Sequence, residues 1–255
     1  MGIATSDDIK KMAQFAVFDQ LGIGPIRKAI HGATIKNLKN REYLYKVGDI
    51  AESFCIVLEG AMKLIRPSLK GDEVIVHIAT EGDVLAAMLM SSNECSPFPV
   101  HVRAIHPSKV ICIPRSTFQL HWMKDPDLLV RLNTILFQRM NNIQNDKMMF
   151  TAPLKNRIAS LLIRHLSNCN SSESSCHTGN GDDQRQDPDL SLTKPQSMTL
   201  TNSGTLSVFL TRQEIADSLG VAVESVIRIM SEWTHAGIIQ SKDHRIEILK
   251  INQLL

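Results

Sequence analysis

The chain has 255 residues, enough for two domains, and its 43% hydrophobic content suits a globular protein rather than a disordered or fibrous one. A formal net charge of +2 selects no class of partner. No apolar run approaches the roughly 20 residues a bilayer span needs, the N-terminus lacks a basic then apolar leader, and Cys55, Cys95, Cys112, Cys169 and Cys176 form no regular framework; the expectation is a cytoplasmic protein with reduced thiols and no membrane partner.

Residues 1–20 are weakly patterned and are expected to form a tail with part of a short helix, followed by a small helix over Ile26 to His31. From Ile35 to Thr117 short apolar bursts alternate with glycine: Phe54 to Leu58, Ala61 to Ile65, Glu73 to Ile78 and Lys109 to Ile113 read as strands, with Gly48, Gly60, Gly71 and Gly82 at regular intervals. Such spacing predicts a small antiparallel sandwich or barrel, with a hairpin between Met62 and Ile78. His77, His101 and His106 fall in or near it and are read as satisfied or solvated imidazoles rather than metal or haem ligands.

Asp125 as N-cap and Pro126 at the first helical position predict one long helix over 125–150. Leu129, Leu132, Leu136, Met140 and Ile143 make a seam of roughly heptad spacing, which can pack on the chain's own barrel or on a second copy. Pro153 interrupts, and Ile158, Leu161, Leu162 and Leu166 give the next helix, from Leu154 to Leu166, one apolar face. Ser, Asn, Asp, Gly, Gln and Pro dominate 167–204, a flexible insertion by composition. Cys169, Cys176 and His177 within it make an incomplete zinc set, so no metal is assigned.

Leu206 to Leu210 reads as a strand, and Thr211 with Glu214 as a capping box that starts a short helix carrying Ile215 and Leu219 on one face. Gly220 stops it, and Val223, Val226, Ile227, Met230 and Trp233 resume the helical period until Gly237. This is a helix-turn-helix pattern, and the apolar runs at Ile238 and at Ile246 to Ile251, split by a polar turn, add a wing. A second helix of this kind presents its first turns to the major groove. Glu224 and Arg228 project side by side there, where a carboxylate accepts from cytosine and a guanidinium forks onto guanine; the plainer alternative is a solvated salt bridge. Lys242, His244 and Arg245 at the wing tip are candidates for phosphate contact. From Ser207 onward, however, five basic residues (Arg212, Arg228, Lys242, Arg245, Lys250) face six acidic ones (Glu214, Asp217, Glu224, Glu232, Asp243, Glu247), which counts against nucleic-acid binding.

The stretch from Leu210 to Leu249 resembles the DNA-binding domain of the CRP/FNR family of bacterial transcription regulators. Tyr45 to Gly60 resembles the opening of the cyclic-nucleotide-binding fold, and Glu81, Gly82 and Asp83 resemble its later landmark. The resemblance implies an α+β chain: an N-terminal tail (1–20), an antiparallel β-roll (double-stranded jelly-roll) sensor domain (21–124), a long dimerisation helix (125–150), and a C-terminal winged helix-turn-helix domain (151–255) carrying the 167–204 insertion. It implies a homodimer on double-stranded DNA, with Thr211, Arg212 and Gln213 on the backbone and Val223, Glu224 and Arg228 at the bases, and contact with RNA polymerase. Val223 stands where the cyclic-AMP receptor branch has arginine, which favours an FNR-like TTGA half-site, although Ile227 replaces that branch's serine. Ala222 replaces the usual Ser or Thr cap.

The ligand pocket departs from the family. Ala86 and Ala87 stand where a Gly-Glu pair would be, and Phe98 and Pro99 where Arg and Ser would hold the phosphate. That leaves nothing to neutralise an anion, so cyclic AMP is not expected to bind in the usual way. Phe98, Met88, Met90, Leu89, Ala86 and Ala87 are then either core or the lining of an apolar pocket for an unknown effector. No cysteine precedes Cys55, which excludes an N-terminal iron–sulfur cluster of the FNR type, and no cofactor is expected. No nucleophile–base pair, phosphate loop or complete metal set suggests an enzyme. The competing class is a ligand-responsive or protein-binding module whose helix-turn-helix is scaffold.

Overall fold

A computed structural model describes residues 2–67, 73–91, 96–165, 204–205, 210–242 and 245–254. Glycines at positive φ close the turns between short β-rich runs; at Gly60 (φ +88°) a Cβ would lie 2.4 Å from Ser108 Oγ and 2.9 Å from the Pro107 carbonyl oxygen, so no other residue fits. The strands are β1 (Thr34–Leu38), β2 (Tyr43–Tyr45), β3 (Ser53–Glu59), β4 (Met62–Pro67), β5 (Glu73–Ala79), β6 (Val84–Leu85), β7 (His101–Ala104) and β8 (Ser108–Pro114). They form two antiparallel four-stranded sheets, ordered β1-β8-β3-β6 and β2-β7-β4-β5, the β-roll that the resemblance implies. Phe54, Ile56, Leu58, Met62 and Ile111 lie fully buried in it.

Within residues 2–20 the expected short helix forms, but the rest is packed on the roll rather than a tail. Helix α1 (Ser6–Met12) carries its own capping box, Thr5 with Asp8, and Met12, Val17 and Phe18 are fully buried in the roll's core. Asp8 pairs with Lys109 of β8, and although burial opposes the charge, hydrogen bonds from Lys109 and Thr5 hold its carboxyl below the usual range. Seven residues are too few for periodicity to fix the bounds of this helix in advance. Helix α2 (Ile23–Ala29) follows, then the short α3 (Ala87–Met90) between β6 and β7, and α4 (Arg115–Thr117) running into a π turn over Phe118–Trp122.

The long helix α5 (Pro126–Met148) starts where expected, with Asp125 Oδ1 accepting from the amides of Asp127 and Leu128. The predicted seam divides. Leu132, 5% exposed, belongs to the roll's core, and Leu136 packs against that core; Ile143 faces a cleft between β5 and the next helix. Leu129 is half-buried, whereas Met140 is exposed. The stripe left outward is Val130, 64% exposed, and Phe137, 57% exposed, with Met140 beside them. Heptad counting favoured the leucines because it cannot tell the chain's own barrel from a partner.

The C-terminal unit comprises α6 (Leu154–Arg164), α7 (Arg212–Leu219), α8 (Val223–His235) and a sheet of β9 (Gly204–Thr205), β10 (Ile239–Lys242) and β11 (Arg245–Ile248) in the order β10-β11-β9. Ile158, Leu162, Ile215, Val226, Met230 and Trp233 form its core, which is continuous with Ala61, Ile75, Ile78 and Ile105 of the roll. The predicted strand at 206–210 and the insertion lie outside the described residues, apart from Leu210 and from Gly204 of β9. Among the described residues, no helix is long and apolar enough to cross a membrane.

Candidate nucleic-acid interface

The capping box forms as the sequence requires. Thr211 Oγ1 accepts from the Glu214 amide at 3.2 Å, and Glu214 Oε2 accepts from the Thr211 amide and hydroxyl, each at 3.0 Å. At its other end α7 stops on Gly220, whose left-handed backbone (φ 63°, ψ 42°) turns the chain into α8. Arg157 of α6 donates to the free Leu219 carbonyl at 2.6 Å, which ties α7 to the rest of the domain.

Two helices so fixed put the predicted DNA-facing residues on the outside. Thr211, Arg212 and Gln213 are exposed at the start of α7, and Gln213 Nε2 donates to Asp217. On α8, Glu224 and Arg228 are both exposed, one turn apart, and Val223 is half-buried. Among the described residues, no ion pair joins Glu224 to Arg228. The opposite face of α8 buries Val226, Ile229, Met230 and Trp233, which fixes its roll angle. Ile227, read as part of the apolar period, is instead 43% exposed, while Ile229 takes the core position.

The wing pairs Lys242 with Arg245 across its tip; His244 lies outside the described residues. Ala222 gives α8 no side-chain cap. Ala222→Ser should therefore stabilise the domain by about 0.5–1.5 kcal/mol, measured as a raised midpoint in urea.

Sequence reading missed how the helix-turn-helix is held. Glu214 points its other oxygen at the roll: Lys63 Nζ of β4 donates to Glu214 Oε1 at 3.3 Å, with side-chain exposures of 11% and 9%. The partners stand 151 residues apart, and a lysine among apolar strand neighbours is the only local signal.

The predicted effector region is a real cavity. Its volume is ≈ 270 Å³, walled by apolar side chains including Leu64, Val84, Ala86, Met88, Phe98 and Leu136. Ala87 also lines it, whereas Met90 is fully buried and does not. Phe98 stacks on Tyr45 with ring centroids 3.9 Å apart. Ala86 keeps the left-handed backbone (φ 65°) although no glycine is present. Arg139 of α5 reaches the same wall, its Nη2 3.1 Å from Asp83 Oδ1.

The comparisons with known proteins agree with this arrangement. The model of the cyclic nucleotide-binding domain matches residues 35–123, and that of the Crp-like helix-turn-helix domain matches residues 156–255. FixK2 from Bradyrhizobium japonicum superposes with a TM-score of 0.62 at 18% identity, over 87% of this chain and 95% of that one. This is the CRP/FNR fold. A second structure, the c-di-GMP responsive global regulator CLP of Xanthomonas campestris, gives a TM-score of 0.60 at 16% identity, over 89% of this chain and 99% of that one. In sequence, the Global nitrogen regulator of Synechococcus elongatus is 21% identical over 91% of this chain and 90% of its own length. Part of the chain is also 27% identical to the Neuropathy target esterase sws of Drosophila grimshawi, but that match covers 54% of this chain and 10% of the esterase. The CRP/FNR fold with its helix-turn-helix is that of a transcription regulator.

Proposed function

We propose that the protein is a homodimeric regulator that binds a palindrome of TTGA-like half-sites, does so without cyclic AMP, and contacts RNA polymerase in the cytoplasm. The observation that carries this reading is the pair Glu224 and Arg228, exposed together on a helix whose other face is locked into the core. A gel shift with a TTGAT-type palindrome tests it: binding should weaken steeply with salt and exceed that of a scrambled duplex, because released counterions drive association. Wild-type protein that shows no salt-dependent binding overturns it in favour of a protein-binding module, which the acidic balance of the C-terminal domain supports.

Independence from cyclic AMP follows from the pocket's chemistry. Its walls are apolar, and its one guanidinium already faces Asp83, so a phosphate has no unopposed cation. An apolar effector suits it better, and adding cyclic AMP should leave the gel shift unchanged.

Two recognition helices on a palindrome require a two-fold axis. Val130, Phe137 and Met140 supply the apolar stripe on α5 that a second copy would cover. Phe137→Glu should convert the protein to a monomer in light scattering while leaving its far-UV circular dichroism unchanged, since the side chain touches little in its own chain.

A further inference from the structure

A second cleft, of ≈ 70 Å³, lies where the roll, the long helix and the DNA-binding domain meet. His77 of β5, Arg139 and Asn142 of α5, Arg164 and His165 at the end of α6, and Ser218 of α7 line it. A β-bulge aims His77 there: Leu64 pairs with His77 and Ile65 with Ile75, so Val76 is the extra residue that bends β5. His77 Nε2 is buried in the cleft with no hydrogen-bond partner. An orphaned ring nitrogen is costly where water is excluded, and such groups call for an occupant.

The charged groups around it are mainly positive. Arg139, Arg164 and His165 disfavour protonation of His77, and Asp83 alone opposes them. Burial is the larger cause, and together they depress the imidazole to about 4, leaving a neutral ring that donates or accepts through Nε2. A cleft of ≈ 70 Å³ has room for several waters, and so for a compact oxyanion.

We infer that this cleft binds a free phosphate-class oxyanion through the Arg164 guanidinium group and the Nε2–H of His77, and that the anion fastens the DNA-binding domain to the roll. Charge-assisted bonds from guanidinium to phosphate are the strong kind. Each domain supplies part of the site, so an anion bound to both stabilises their docking. Arg139 also walls the apolar cavity, which places the two sites side by side.

The test uses full-length protein and inorganic phosphate at constant ionic strength, with chloride as the control. Titration calorimetry should show saturable binding, and the His77 Nε2 resonance should move along the same curve. Arg164→Gln, an exposed position whose loss spares the fold, should weaken binding at least tenfold. His77→Leu should do the same, while His77→Gln, whose amide nitrogen falls near the same place, restores part of it. Hydrogen exchange of the β5 and α6 amides should slow with phosphate in the wild type only. Binding no better than chloride, or phosphate affinity unchanged in both Arg164→Gln and His77→Leu, overturns the inference.

Discussion

Arg228→Ala should abolish the preference for a TTGAT palindrome while leaving weak binding to random duplex almost intact. A bidentate guanidinium on guanine is worth about 1–3 kcal/mol of discrimination, and a dimer applies it twice. The expected loss is therefore roughly 30-fold at the least and about 10⁴-fold at the most. Non-specific affinity should fall only slightly and the salt slope should drop by about one per subunit, as for removal of one cation. The side chain is exposed and outside the α8 core, so the melting temperature should not move. Glu224→Gln makes the companion measurement: it should relax preference at the paired cytosine while raising overall affinity, because one anion leaves the interface. An Arg228→Ala protein that still separates the palindrome from scrambled DNA would place base reading elsewhere.

The parts of this molecule legible in its sequence are those where the determinant is local. Thr211 and Glu214 are three residues apart, and Gly220 needs no partner to adopt a left-handed turn, so the helix-turn-helix could be read from a dozen residues. Strands β3, β4, β5 and β8 announced themselves by apolar runs and glycine spacing for the same reason. What escaped depends on distant partners. Met12, Val17 and Phe18 look unremarkable until the roll covers them. The two faces of α5 are both apolar, and only the fold decides that Leu132 turns inward and Phe137 outward. The orphaned His77 arises from a bulge set by strand register, which no spacing along one strand encodes. At Ala86, which stands where the resemblance places a glycine, the surrounding structure holds the left-handed conformation without one.

Glu214→Ala should be the most damaging single change in the C-terminal domain. Its carboxylate closes the capping box with one oxygen and meets Lys63 with the other, both nearly out of reach of water. Breaking a buried pair by deleting one partner costs about 3–5 kcal/mol, because Lys63 keeps its charge inside the interface. By calorimetry the C-terminal transition should fall by roughly 15 °C or more, at several degrees per kcal/mol for a domain of this size. Lys63→Met behaves differently: the Thr211 bonds survive, so α7 stays capped, and what weakens is the hold of β4 on α7. The two domains should then melt apart where the wild type melts together, and Lys63→Met combined with Glu214→Gln should recouple them by leaving no lone charge. Leu64, the next residue of β4, lines the apolar cavity, while Glu214 directly follows Thr211, Arg212 and Gln213 on α7. An effector that presses on Leu64 therefore acts one residue from Lys63, and so on the orientation of the surface offered to DNA. If Lys63→Met leaves the coupling of the two transitions unchanged, the sensor does not steer the helix-turn-helix through this pair.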